Sequence, residues 1–207
     1  MEYLLTMTTQ VPEGTSEAAV QDIRTREAAR SRELAAQGHL LRLWRPPLQP
    51  GEWRTLGLFA ADDGAQLEEV LASMPLRVWR TDEVTPLSPH PNDPARQTDK
   101  PGLPAPEAGE SEFLTTFSVT VPAGTPSQDV DGTPAREADH ARELAGQGHL
   151  LRLWKLPGQL PRALGLWRAH DTAGMQAILA ALPPYAWMSV QTTPLTPHPS
   201  DPALTSS

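Results

Sequence analysis

Two glutamates stand where proton chemistry is most readily placed. Glu27 falls inside the apolar stripe that Val20, Ile23 and Leu34 draw at 100° per residue, and Glu137 is its counterpart in a second copy of that helix. A carboxylate partly withdrawn from water has its pKa raised, which suits it to take a proton from one carbon and return it to another. The competing role for Glu27 is an ion pair at the helix edge with Arg24, Arg30 or a strand arginine. The stripe around Glu137 is thinner, because Thr133 replaces Ile23. Thr133-Pro134 reads as an N-cap and first-turn proline, so a capping or solvated role stands beside the catalytic one.

Arg42 and Trp44 alternate onto one face of a predicted strand, as do Arg152 and Trp154. A guanidinium there can hold a ligand carboxylate bidentately, or it can pair with Glu27 or Glu137 across the same space. The tryptophans read first as packing residues and second as pocket walls. Thr6 and Thr116 lie on the hydroxyl-bearing face of the first strand of each half and complete the candidate anion contacts. His39 and His149 directly follow a helix-ending glycine and read as structural, and His90 and His198 sit in Pro-His-Pro turns. Six histidines without clustered spacing, in a chain with no cysteine, do not make a metal site. No glycine-rich phosphate loop or nucleophile elbow is present.

The elements that must position these residues occur twice. Arg32-Glu33-Leu34-Ala35-Ala36-Gln37-Gly38-His39-Leu40-Leu41-Arg42-Leu43-Trp44 returns, with Gly146 replacing Ala36, in the stretch ending at Trp154, an offset of 110. A second echo, Thr85-Pro86-Leu87 through His90-Pro91 to Asp93-Pro94-Ala95, returns at Thr193 to Ala203 with an offset of 108. Two long copies do not make a solenoid. The reading is one duplicated domain, copy 1 over 1–95 and copy 2 over 113–203, joined by a Pro/Gly-rich linker over 96–112.

Within copy 1, alternation predicts a strand over 3–11, with Tyr3, Leu5, Met7 and Val11 facing the core. A helix follows over 17–37, with Ser16 as N-cap and Gly38 as its stop. Strands are expected at 39–45 and 54–60, the latter matched by 162–168. A short helix spans 64–73, closed by Pro75. A last strand holds Trp79 over 77–85, and its counterpart over 185–193 holds Trp187. In the second strand Leu41 and Leu43 are expected on the helix side, with Leu40, Arg42 and Trp44 opposite. The order β-α-β-β-α-β is the ferredoxin-like arrangement, an α+β fold with both helices on one face of an antiparallel sheet. The two sheets are expected to pack face to face as a dimeric α+β barrel.

Composition narrows the partners. The net charge of −8 argues against nucleic acid or an anionic membrane as the main partner. No apolar run approaches the length of a membrane span, and the N-terminus lacks the pattern of a signal peptide, so a cytoplasmic location is expected.

Met7-Thr8, Pro12, Glu27, Gln37-Gly38, Leu43-Trp44-Arg45 and the closing His90-Pro91 together resemble muconolactone delta-isomerase, over nearly all of 1–91 and, less closely, 113–199. The resemblance implies small subunits of the ferredoxin-like fold that pack in pairs, self-assemble further and take part in the breakdown of aromatic compounds. It implies a reaction without a cofactor, in which a ring double bond of a carboxymethyl-butenolide moves by proton removal and return. The family's proton-carrying helix glutamate matches Glu27 and Glu137. Its Trp-Arg-His strand reads Leu40-Leu41-Arg42 here, and Leu150-Leu151-Arg152 in the repeat. The lysine near the end of its first strand is Thr6 here and Thr116 in the repeat, which rearranges the cations of the pocket.

The expected function is therefore a cofactor-independent isomerase of a small unsaturated lactone or related carboxylate. The expected catalytic residues are Glu27 and Glu137, and the expected substrate contacts are Thr6, Arg42, Trp44, Thr116, Arg152 and Trp154. The alternative is a non-catalytic small-ligand binding or scaffolding protein on the same fold. A third reading, a cofactor-free oxygenase, rests on fold analogy alone.

Overall fold

The computed structural model describes residues 1–96, 103, 105–120, 133–159, 161–183 and 188–204. Its chain divides into two compact units. The first holds Met1–Leu87 together with the C-terminal segment from Thr196, and the second holds Pro106–Leu195 together with the segment from Ser88. Each unit is thus one copy completed by the tail of the other.

In the first unit the order is β1 (Glu2–Thr9), α1 (Glu17–Ala36), β2 (Leu40–Arg45), β3 (Arg54–Ala60), α2 (Gly64–Ala72) and β4 (Arg80–Pro89). Antiparallel pairing of β1 with β3 and β4, and of β3 with β2, gives the sheet order β4-β1-β3-β2. Arg45 of β2 also pairs with Thr196, and Trp44 with Pro197. The second unit repeats the plan with β5 (Ser111–Val119), α3 (Thr133–Gly146), β6 (Leu150–Lys155), β7 (Arg162–Ala169), α4 (Thr172–Ala180) and β8 (Met188–Pro197). Its sheet runs β8-β5-β7-β6, with Ser88 and Pro89 paired to Lys155 and Trp154. Both units are ferredoxin-like.

Local chemistry explains the boundaries. Ser16 caps α1 by accepting the Ala19 N–H at 3.3 Å. Gly38, at φ +77°, takes the left-handed conformation that ends the helix and turns the chain into β2. The alternation of β1 buries Tyr3, Leu5 and Met7 against Leu34, Leu67 and Leu71, and burying each such leucine stabilises by about 1.5–3 kcal/mol. Val11 falls beyond the strand and is exposed. In the second unit Phe117, Leu144, Trp167 and Met175 form the matching core. One paired exchange is visible there. Leu5 and Phe59 become Thr115 and Trp167, and the Thr115 hydroxyl accepts the indole N–H at 2.7 Å. Gly165 makes room for that ring: a Cβ there would lie 2.2 Å from the indole nitrogen.

Two expectations are corrected. β2 does not alternate throughout, because its register to β3 shifts between Leu40 and Arg42. The bulge turns Leu40, as well as Leu43, onto the helix-side core. The same shift occurs between Leu150 and Arg152. The last strand of copy 1 does not begin at 77. Pro75 opens a 3-10 turn, Pro75–Trp79, so Trp79 precedes the strand, which starts at Arg80. In copy 2 the strand begins at Met188, and Trp187 lies outside the described residues. The helix α3 is shorter than α1, 14 residues against 20. The side chains of Thr133 and Pro134 lie outside the described ones, so the capping reading does too.

Candidate functional site

Each unit has a cavity on the helix side of its sheet, and each cavity is faced by its helix glutamate. The first, of about 250 Å³, is lined among others by Arg24, Glu27, Arg45, Trp53, Arg80 and His198. The second, of about 480 Å³, is lined by Glu137 and largely apolar walls that include Phe117, Leu144, Trp167 and Met188, with His90 and Lys155 also facing it.

The two carboxylates differ in what surrounds them. Glu27, on α1, accepts the Leu76 N–H at 2.8 Å and an Arg80 guanidinium N–H at 3.3 Å. Arg80 is itself anchored to Asp82, which also takes Arg77. Burial pushes the pKa of Glu27 up, the Leu76 N–H and Arg80 pull it back, and Asp82 raises it again. The carboxylate is held on two sides.

Glu137 is half-buried, and burial alone pushes its pKa up. Among the described residues it has no hydrogen-bond or ion-pair partner. The reason is legible by aligning the copies at the offset of 108. Arg80, opposite Thr9 in the β1–β4 ladder, corresponds to Met188, opposite Val119 in the β5–β8 ladder. Leu76 corresponds in sequence to Pro184, which has no N–H to donate. Asp82 corresponds to Val190. The enlarged second cavity goes with smaller or apolar residues at these places. Pro161 stands where Trp53 does, and the β2–β3 loop is two residues longer than the β6–β7 loop. Trp53 in the first unit is stacked under Arg24, 4.4 Å from the ring centre.

Arg42 is fully buried and bidentate to Asp201, with Nε 3.1 Å from Oδ1 and a terminal nitrogen 3.0 Å from Oδ2. Asp201 also accepts the Leu43 N–H at 3.1 Å. Arg152 meets Asp93 in the same way at 3.2 Å, and Asp93 accepts the Leu153 N–H at 3.0 Å. In the structure each arginine thus pairs with an aspartate of the closing echo. Each arginine also lies over its neighbouring tryptophan, Arg42 at 4.9 Å and Arg152 at 4.7 Å from the ring centre. Both tryptophans are buried. Thr6 and Thr116 are half-buried on the strand face opposite Met7 and Phe117, the residues that face the cavities. None of Thr6, Arg42, Trp44, Thr116, Arg152 or Trp154 lines either cavity.

Four of the six histidines fall into two pairs. Nδ1 of His39 lies 3.0 Å from the Ala60 carbonyl, and Nδ1 of His149 lies 3.1 Å from that of Arg168, so each ring ties a helix end to the sheet. His90 and His198 instead face the cavities. Burial, with Lys155 nearby, holds His90 below the usual histidine range, against a smaller opposing pull from Asp93. Burial and Arg45 push His198 down to about 4. Residue reading missed Asp93, Asp201, Arg80 and Lys155. The signal for the aspartates was present, since an arginine repeats in the first echo and an aspartate in the second.

Comparison with known proteins matches both halves of the chain. The family model for muconolactone delta-isomerase matches residues 1–93 and again 111–201. Muconolactone Delta-isomerase 1 of Acinetobacter lwoffii is 29% identical over 88 residues, 42% of this chain and 91% of its own. Muconolactone Delta-isomerase of Cupriavidus pinatubonensis is 30% identical over 92 residues, 44% of this chain and 97% of its own. Among solved structures, a heme-binding protein from Thermus thermophilus aligns with a TM-score of 0.58 at 12% identity, over 99% of this chain and 94% of that one. A chlorite dismutase from Candidatus Nitrospira defluvii aligns with a TM-score of 0.53 at 13% identity, over 95% and 91%. At that identity the likeness shows the fold, an α+β class of two ferredoxin-like domains, that of dimeric α+β barrel proteins. Among the described residues no helix is long and apolar enough to cross a membrane. With each half matched separately by one family model, the chain belongs to the muconolactone delta-isomerase family as a tandem duplication of its domain.

Proposed function

We propose that this chain is a cofactor-independent isomerase that moves a double bond in a small unsaturated lactone or related carboxylate, and that the second unit does the chemistry. The observation that carries this reading is Glu137: a half-buried carboxylate, without a partner among the described residues, facing a largely apolar cavity of about 480 Å³. Its Oε removes a proton from a ring carbon beside the conjugated system. The electron pair passes to the carbonyl oxygen as a dienolate. The Glu137 carboxylic acid then returns the proton to another carbon of that system, and the pair settles as the relocated C=C bond. Nothing is oxidised or reduced, and the base is regenerated. A raised pKa narrows the gap between the base and the carbon acid and leaves the acid form able to give the proton back. Lys155 supplies a cation at the cavity for a substrate carboxylate.

For the first unit the observations favour the other reading. Glu27 is already held by Leu76 and Arg80, and its cavity carries Arg24, Arg45 and Arg80 against that single carboxylate. We propose that this half binds or supports without shuttling protons.

Solvent exchange tests the assignment. A panel of butenolides with and without a carboxymethyl arm is incubated in deuterated water and followed by NMR. Glu137→Gln is expected to slow deuterium incorporation by about 10²–10⁴-fold, the range of a general base. No exchange on any lactone by the unaltered protein would favour the binding reading for the whole chain.

A further inference from the structure

The closing echo of each copy carries a histidine whose ring is oriented by its own turn. In Pro89-His90-Pro91-Asn92-Asp93 the Asn92 backbone N–H donates to His90 Nδ1 at 3.1 Å. A backbone N–H can only donate, so Nδ1 accepts, and the neutral ring carries its proton on Nε2. The turn is pinned from both ends: the His90 N–H donates to the Leu153 carbonyl at 3.2 Å, and Asp93 accepts from Arg152 and from the Leu153 N–H. His90 faces the same cavity as Glu137. Among the described residues Nε2 has no hydrogen-bond partner.

We propose that His90 is a catalytic residue of the second unit, donating its Nε2–H to the lactone carbonyl oxygen as that oxygen becomes an enolate. The inference rests on the isomerase reading and deepens it. Removing a proton from carbon places charge on the carbonyl oxygen, and a carboxylate base needs a donor for that oxygen which is not another anion. An uncharged imidazole supplies one, and it is matched to a weakly acidic enol better than an imidazolium would be. Burial and the neighbouring Lys155 keep the ring uncharged near neutral pH. During the reaction the Nε2–H bond persists as a hydrogen bond while Glu137 carries the transferred proton. The Pro-His-Pro-x-Asp-Pro echo thereby acquires a use beyond its turn: aspartate and arginine fix the loop, and the loop fixes the tautomer.

Two measurements separate this from a purely structural histidine. Asparagine places its Oδ1 near the position of Nδ1 and keeps the turn, whereas glutamine places an N–H near the position of Nε2 and keeps the donor. In the butenolide exchange assay, His90→Asn is expected to lose about 10²-fold in kcat/KM, the effect of losing one oxyanion donor, with His90→Gln within about tenfold of the unaltered protein. The reverse order, with asparagine the more active, would overturn the proposal. Independently of catalysis, tetronate, the enolate form of a simple butenolide, is titrated into the full-length protein with ¹⁵N-labelled histidine. The His90 ring is expected to show the Nε2–H tautomer, and its Nε2–H proton to move downfield as tetronate binds. A His90 signal unmoved by excess tetronate would overturn the proposal, whether or not any lactone is turned over. Absence of exchange together with a tetronate-shifted His90 would fault the isomerase reading and leave the donor in place.

Discussion

Glu27 and Glu137 occupy the same place on the same helix of the same fold, yet among the described residues only Glu27 has hydrogen-bond and ion-pair partners. Across from Glu27 stand a strand arginine and a backbone N–H, and at the aligned positions of the second copy the sequence has a methionine and a proline. Both carboxylates are raised in pKa by burial, so burial does not tell them apart. What separates them is the partner. A buried carboxylate with a donor and a cation is part of the framework; one without either must find its partner in a ligand or bear the cost of desolvation. Duplication lets one chain keep both solutions.

The largest expected difference in stability between the halves lies in their framework ion pairs. Arg42 and Asp201 are both fully buried, whereas Arg152 keeps 12% of its side-chain surface exposed. Asp201→Ala takes the carboxylate away from a guanidinium held in the interior and is expected to cost about 3–5 kcal/mol in denaturant unfolding, with Asp93→Ala costing clearly less. Equal costs would mean that the two units are held equally tightly and that the contrast ends at the glutamates.

The glutamates themselves come next. Glu27→Ala leaves the Leu76 N–H and one side of Arg80 unsatisfied and is expected to destabilise by about 1–3 kcal/mol. Glu137→Ala orphans nothing among the described residues, and at neutral pH it is expected to be near neutral or stabilising. The sign follows from linkage. The folded pKa of Glu137 is raised, so between the ordinary carboxylate value and the raised one the folded state holds the extra proton. Its stability contribution is therefore greatest at low pH and is lost as pH rises through the folded pKa. Melting measured from pH 4 to 8 should show this loss in the unaltered protein and less of it in Glu137→Gln. A Glu137→Gln variant whose stability falls with pH as steeply as before would contradict the assignment.

How much of this was legible beforehand depends on the range of the interaction. The period-2 pattern of Tyr3, Leu5 and Met7 and the Ser16 and Gly38 signals report chemistry within a few residues, and these elements formed where they were expected. The bulge beside Leu41 was hidden because it depends on pairing with β3, which alternation within one strand does not encode. Trp79 was drawn into a strand because its apolar neighbours fit one, while Pro75 organised a 3-10 turn instead. The partner of Arg42 lies 159 residues away in the other copy's tail, beyond any local pattern. The replacement of Arg80 by Met188 was visible in the aligned copies. Its meaning required the strand register that sets Arg80 beside Glu27.

A smaller effect probes that register directly. Met188→Arg restores to the second unit the cation of the first. It is expected to slow exchange at neutral pH by about tenfold, the rate equivalent of about 1.4 kcal/mol, and to move the acid limb of the pH–rate profile to lower pH, since a neighbouring cation favours the ionised carboxylate. A Met188→Arg protein with an unchanged profile would show that the strand residue does not govern Glu137.

The central claim is that duplication left one working base, and it is tested by comparing Glu27→Gln with Glu137→Gln in the butenolide exchange assay. The account predicts that Glu27→Gln keeps exchange within a few-fold of the unaltered protein at matched folded concentration, while Glu137→Gln loses about 10²–10⁴-fold. Exchange abolished by Glu27→Gln and retained in Glu137→Gln would contradict it.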